Sequence, residues 1–348
     1  MSLIITCYAT KCVSVGAYMI TTRILVPLLL LIFAAPTHAW DRIGHRITSA
    51  VALQFLSKEK GDTLIEILAL HPRYQQDFLN QIPEFVDQSN RQELSSWLLG
   101  QAAYWPDIAR GLPGTERSRF NRPAWHFTDG AWLRGAAQTQ GNVYLDRSPS
   151  PGIAGETPTL ILSESQVHNV ITAIDFNTRV LLDQQESATA RAIALCWVLH
   201  LIGDIHQPLH TGSLFTPLLF PDGDRGGNGI RTGTRSNLHA DWDRASSSGG
   251  FNENLPLVLN SIAGYADSSI AGISSDSTVW MAESREILNL VVYSDSIKSA
   301  IRDAEENNNE LATQQLSPEY LVGMQGIARQ RLGLAGLRLA IFFENELP

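Results

Sequence analysis

Apolar residues recur at three- and four-residue spacing along most of the chain, the period of helices that pack on a core. This spacing predicts amphipathic helices over Ile47 to about Leu56, Gly61 to Leu70, Phe78 to Leu99, Ser163 to Leu182, Thr189 to Ile205, Leu255 to Ala266, Val279 to Leu290 and Pro318 to Phe343. Trp105-Pro106-Asp107 reads as the end of a further helical stretch, because proline breaks a helix interior. Two stretches show no period. Ala131 to Pro158 is rich in Gly, Pro, Ser and Gln and reads as a long surface loop, and Thr211 to Ser236, with Pro217 and Pro221, reads as an irregular one. No alternating series marks a strand and no internal repeat is visible. The expected fold is mainly α: a single helical domain with long irregular loops.

The first 39 residues differ from the rest. They carry Lys11 and Arg23 but no acid, then the apolar run Ile24 to Ala35, then Thr37-His38-Ala39 with small residues where a signal peptidase cuts. The run is too short to span a bilayer comfortably. Residues 1–39 therefore read as a secretory signal cut after Ala39, with Met19 as an alternative start, and 40–348 as the mature domain. Removing Lys11 and Arg23 leaves 24 basic against 35 acidic residues, a net charge of −11. There is no basic stripe of the kind that grips long duplex. Cys196 is the one cysteine left after the leader, so no internal disulfide forms, and no glycosylation sequon occurs. That combination fits a bacterial periplasmic or exported enzyme.

The chemistry concentrates in Trp197 to His210, WVLHLIGDIHQPLH. His200 and Asp204 are four apart in an apolar run and share a helix face; His206 and His210 follow, with Pro208 ending the helix. The spacing recurs in His239-Ala-Asp-Trp-Asp243. Imidazole with carboxylate suits zinc among the common metals. Trp40 would be the new N-terminus, and its free amine with His45 could chelate a metal. Asp107 after Pro106, and His126 in Trp125-His126-Phe127-Thr128-Asp129, read alone as turn and core-edge residues. Asp224-Arg225-Gly226-Gly227-Asn228 has glycines that let backbone approach a site closely.

Taken together, the N-terminal Trp with Gly-His behind it, Trp-x-Asp, Trp-His-Phe, His-x3-Asp-Ile-His-Gln-Pro-Leu-His, Asp-Arg-Gly-Gly-Asn and Asn-Leu-His-x3-Asp resemble the S1/P1 nuclease family, the type I single-strand nucleases of fungi and plants. The resemblance covers essentially the whole mature chain. It implies a helical domain of the phospholipase C/P1 nuclease type around three zinc ions. Asp107, His126, His200 and Asp204 would hold one ion. Trp40, His45 and a bridging Asp204 would hold its close partner, and His210, His239 and Asp243 the third. It further implies endonuclease hydrolysis of single-stranded DNA and RNA to 5′-phosphorylated products, with 3′-nucleotidase activity. Asp107 would orient the attacking water, Phe127 stack on a base, Asp129 bond its edge, and Asn228 contact phosphate or shape its loop. The implied enzyme is a monomer with no stable protein partner and no membrane association after signal cleavage. The spans Trp40 to Asp107 and His210 to His239 are longer than in fungal members. Two rivals stand beside this reading: a zinc-dependent phospholipase C with the same three-metal site, and a non-catalytic periplasmic zinc-binding protein.

Overall fold

The computed structural model describes residues 40–128, 163–268 and 273–348. The leader, Asp129 and the Ala131–Pro158 loop lie outside the described residues. Helix α1 (Arg42–Phe55) starts on Asp41, whose carboxylate accepts the N–H groups of Ile43 and Gly44 at 3.0 and 3.1 Å. α2 (Lys58–Leu68), α3 (Arg91–Arg110) and α4 (Gly114–Phe120) follow, then a tight turn over Pro123–His126. α5 (Val170–Leu182) and α6 (Ala188–Asp204) form a hairpin, capped by Asn169 and Ser187. A turn at Pro208–His210 and an irregular stretch lead to α7 (Leu238–Asp243). The rest is α8 (Gly250–Ser261), α9 (Ala263–Ser268), α10 (Ser277–Ile287), α11 (Asp295–Glu306) and α12 (Pro318–Glu346). One isolated bridge, Thr232 to Gln314, is the only β pairing among the described residues.

The mainly α expectation holds, with shifted boundaries. The helix expected over Phe78 to Leu99 begins only at Arg91, where the Asn90 side chain caps the N–H groups of Gln92 and Glu93. Tyr74–Phe78 and Leu79–Gln81 are separate short turns. Nor does the chain leave the helix at Trp105-Pro106-Asp107; α3 runs through Pro106 to Arg110. Pro106 removes the N–H that would bond the Ala102 carbonyl. The next carbonyl, Ala103, accepts the His200 ring at 2.8 Å, so the weak turn of α3 receives a side chain from α6. α4 and α11 were not expected from the sequence, although Ile297, Ile301 and Ala304 of α11 lie at i, i+4 and i+7 and are buried.

α6 is apolar on all sides and every residue from Ala194 to Asp204 is buried, as befits a central helix. α1 packs on α3, α6 and α12. Two glycines let it come close. A Cβ on Gly336 of α12 would lie 2.5 Å from Val51 Cβ and 2.7 Å from the Thr48 carbonyl. A Cβ on Gly203 of α6 would lie 3.0 Å from His45 Nδ1. We expect Gly336→Ala to lower stability by about 1–3 kcal/mol through overpacking, read as a drop in urea midpoint at unchanged slope.

His71 lies three residues beyond the end of α2. Its ring is buried against Phe78, Trp105 and Phe120, and Nδ1 accepts the Arg73 N–H at 3.2 Å. Burial lowers its pKa to about 3. The unfolded chain therefore takes up a proton near pH 6.5 that the folded chain refuses. This stability is complete above pH 6.5 and falls, by up to about 1.4 kcal/mol per unit, as pH drops towards 3. Metal-free His71→Phe protein should show a flatter stability–pH curve between pH 6 and 4; an unchanged slope would remove His71 as its cause.

Candidate metal centre

Eight side chains from separate elements converge. α1 supplies His45, α3 Asp107, the Pro123–His126 turn His126, and α6 His200 and Asp204. The Pro208–His210 turn supplies His210, and α7 His239 and Asp243. All eight are buried. They form three groups, His45–Asp107–His200, His126–His200–Asp204 and His210–His239–Asp243, each with ligand atoms within 4.8 Å of one another. The first two share His200. Read alone, Asp107 and His126 look like turn and core-edge residues, whereas the resemblance makes them ligands; the fold brings both into the cluster.

Asp204 has its two oxygens directed differently. Oδ1 lies 3.4 Å from His45 Nε2, while Oδ2 lies 3.1 Å from both His126 Nδ1 and His200 Nε2. A carboxylate so placed can serve two cations at once. Asp204 also sits at the C-terminal end of α6, the negative end of the helix dipole, and is fully buried. Burial raises its pKa to about 6 and also raises that of Asp243. Neither acid is there for helix stability, and both positions suit a nearby cation.

The ring nitrogens support the same conclusion. His200 Nδ1 faces the Ala103 carbonyl at 2.8 Å, His210 Nδ1 that of His126 at 2.6 Å, and His239 Nδ1 that of Gly226 at 2.6 Å. A carbonyl only accepts, so each Nδ1 carries the proton and each Nε2 is turned inward. Burial pushes the pKa values of His45, His126 and His210 well below the ordinary range, so these rings are neutral at pH 7. His210 Nε2 and His239 Nε2 face each other at 3.2 Å, and His200 Nε2 faces His126 Nδ1 at 2.8 Å. Neither nitrogen of His45 has a hydrogen-bond partner among the described residues. Buried acceptors packed this way are costly unless a cation lies among them. The residues fit a metal.

The N-terminal end of the described chain is held in this cluster. Trp40 is fully buried and its indole N–H donates to the Gly203 carbonyl at 2.9 Å. The Asp41 N–H donates to the Asp243 carbonyl at 3.1 Å. His206, inside the same motif, is not a ligand. Nδ1 meets the Ile202 carbonyl and Nε2 accepts from Arg338, both at 2.6 Å, and Arg338 and Arg331 pair with Glu283.

Beside the groups lies a cleft of about 290 Å³, lined by Arg110, His126, Phe127, His210, Arg225, Asn228 and His239 among others. Phe127 is 41% exposed at its wall. The Asn228 amide donates to the Arg225 carbonyl at 2.8 Å, so this side chain shapes its own loop. A larger cavity of about 750 Å³, lined by Arg46, Phe85 and Trp97, includes none of the ligands.

The sequence reading missed three features. Arg110 Nε lies 3.0 Å from Asp107 Oδ1 and lines the cleft; its i+3 spacing from Asp107 on a helix was the available signal. Gln207 donates to Asp243 Oδ1 at 2.7 Å. The backbone carbonyls that orient the rings leave no trace in sequence.

A helical domain with three buried groups of imidazoles and carboxylates that could hold metal beside a cleft defines a metal-binding class, and the family model described as S1/P1 Nuclease matches residues 40–347. The chain belongs to the S1/P1 nuclease family and is a nuclease, a hydrolase of ester bonds in nucleic acid. It is 25% identical over 335 residues to Nuclease S1 of Aspergillus oryzae, covering 90% of this chain and 94% of that one. It is 32% identical over 157 residues to Endonuclease 5 of Arabidopsis thaliana, covering 42% of this chain and 48% of the relative. Endonuclease 4 of the same plant matches at 32% over 158 residues with the same coverage.

Proposed function

We propose that this chain is a zinc-dependent endonuclease of single-stranded DNA and RNA that leaves 5′-phosphates and also removes 3′-phosphates from nucleotides. The observation that carries the reading is the divided Asp204 carboxylate between His45 and the His126–His200 pair, next to the separate group His210–His239–Asp243. Asp107, His126, His200 and Asp204 would hold one zinc. His45, Asp204 and the freed amine and carbonyl of Trp40 would hold the second, and His210, His239 and Asp243 the third. Bound zinc supplies Lewis acidity, lowering the pKa of water towards neutrality and offsetting charge on phosphate oxygens.

The protein does the positioning. Asp107 orients the attacking water and is itself held by Arg110, whose charge at the cleft wall also favours a phosphate. Phe127 offers a stacking face to one unpaired base. A base must leave its stack to enter the cleft, which costs an unpaired base less than a paired one. Asp129, outside the described residues, completes the base contact in this reading.

We further propose that residues 1–39 are a secretory signal, that cutting after Ala39 creates the amine ligand, and that the mature protein acts as a monomer in the periplasm or outside the cell. The family match begins at residue 40, in keeping with that cut. Among the described residues no helix is long and apolar enough to cross a membrane.

The test uses processed protein starting at Trp40. Metal analysis should give three zinc per chain. Denatured DNA, RNA and a 3′-nucleotide should be hydrolysed, native duplex far more slowly, and chelator should stop all of it. Release of diacylglycerol from phosphatidylcholine with intact nucleic acid would assign the chain to the phospholipase rival. Metal uptake with no hydrolysis would make it a zinc carrier.

A further inference from the structure

We propose that Asp224 and Tyr293 are positioning residues for the third ligand group. They hold the Arg225–Asn228 loop so that the Gly226 carbonyl fixes His239 with Nε2 turned towards His210 and Asp243. The proposal rests on the metal reading above for its consequence, but not for its geometry.

Three consecutive residues, Arg225, Gly226 and Gly227, have φ of 60°, 60° and 79°. A left-handed run with a non-glycine at its head has a backbone cost and does not persist without outside support. It also cannot move freely. A Cβ on Gly226 would lie 2.4 Å from the Leu209 carbonyl, so the loop is pressed against the backbone next to His210.

Asp224 supplies the support. Its side chain is buried, and its two oxygens gather three donors from three parts of the chain. Oδ1 accepts the Leu214 N–H at 2.9 Å; Oδ2 accepts the Gly227 N–H at 3.0 Å and the Tyr293 hydroxyl at 2.7 Å. Its backbone joins in, with N–H to the Leu214 carbonyl at 2.9 Å and its carbonyl to the Gly229 N–H at 2.8 Å. Ser213 Oγ accepts the Gly226 N–H at 3.0 Å. Gly226 O, in the peptide unit whose N–H is the Gly227 N–H held by Asp224, accepts from His239 Nδ1 at 2.6 Å.

The three candidate ligand rings that face a carbonyl differ in what holds that carbonyl. For His200 it is Ala103, inside α3, and for His210 it is His126, at the end of a short helical turn. For His239 it is Gly226, in a loop outside any helix. That carbonyl is only as fixed as the Asp224 clamp. A carboxylate suits the task because three donors converge on it. Asparagine offers one acceptor oxygen and directs an N–H at a donor. Tyr293 sits 69 residues from Asp224 and belongs to none of the motifs.

The test compares wild type, Asp224→Asn and Tyr293→Phe as processed proteins, titrated with a zinc chelator while ions released per chain are counted. Outer contacts to a ligand are worth about ten- to a hundredfold in metal affinity. We expect Asp224→Asn to release one ion per chain at roughly ten- to a hundredfold lower free chelator than wild type, the other two unmoved. Tyr293→Phe keeps the ring volume and removes one hydrogen bond, and should shift the same ion by about fivefold.

In metal-free protein, nitrogen NMR of His239 should show Nδ1–H in wild type and a tautomer mixture in Asp224→Asn. Equal shifts for all ions would overturn the proposal, as would an unmoved chelator profile and tautomer with only a lower metal-free melting temperature. Should Asp224→Asn not fold, Tyr293→Phe decides alone. A wild type that holds no ion at His210, His239 and Asp243 defeats the functional reading, and the tautomer measurement then tests the clamp by itself.

Discussion

Asp204→Asn is expected to reduce hydrolysis of denatured DNA by about three orders of magnitude and to cost two of the three metal ions. The change is nearly isosteric, so the effect is chemical. Oδ1 and Oδ2 of Asp204 face His45 on one side and His126 with His200 on the other. An amide keeps one weak oxygen ligand, sets an N–H against an imidazole lone pair, and removes the charge that offsets repulsion between two close cations. A loss of about 4 kcal/mol of transition-state stabilisation corresponds to about a thousandfold in rate. Stability should move the other way. Burial raises the folded pKa of Asp204 from 3.8 to about 6, so without metal the ionised acid weakens the fold. That cost begins as pH rises past 3.8 and is complete above about 6. Metal-free Asp204→Asn protein should therefore be more stable at pH 7.5, on the order of 1–3 kcal/mol. An active variant holding three ions would sink the bridging role. An inactive variant whose metal-free form melts lower would make the residue structural.

What the sequence disclosed about this site followed from local periodicity. His200 with Asp204, and His239 with Asp243, are four apart on single helices, and both pairs fall where that spacing puts them. His45, Asp107 and His126 were harder, because each comes from a different element and no local rule links them; the family motifs connected them. Pro106 misled, since its effect depends on whether another group takes up the loosened backbone, and His200 at the Ala103 carbonyl lies 97 residues away. Arg110 stands one turn beyond Asp107 on the same helix, a spacing present in the sequence that does not by itself mark an ion pair. The Asp224–Tyr293 contact and the carbonyls on the three rings are products of tertiary structure and have no spacing to read. The helix start expected at Phe78 is a different case, because the cap that sets the boundary, Asn90 on Gln92 and Glu93, is local and its Asn-x-x-Glu spacing stands in the sequence.

A chain expressed with residues left before Trp40 is expected to fold but to hold one ion fewer and turn over at about a hundredth of the processed rate or less. Trp40 is fully buried, anchored by its indole to Gly203, one residue before Asp204. The next residue caps α1 through its side chain and donates its N–H to the Asp243 carbonyl, so backbone at 40–41 is tied to two ligand-bearing helices. As a free N-terminus, the residue 40 nitrogen is an amine with a pKa near 8 and a lone pair for a cation. Within a chain it is an amide, whose lone pair is delocalised into the carbonyl and is no ligand at neutral pH. The folding determinants lie elsewhere: Asp41 still caps α1, and Gly336 still admits it against α12. Metal-free forms with and without the extension should melt within a degree or two of each other. Native mass spectrometry should count two zinc ions in the extended chain and three in the processed one. Proteolytic removal of the extension, with zinc present, should restore the third ion and the rate together. Three ions and full turnover in the extended chain would show that the amine is not a ligand and that cleavage serves export alone.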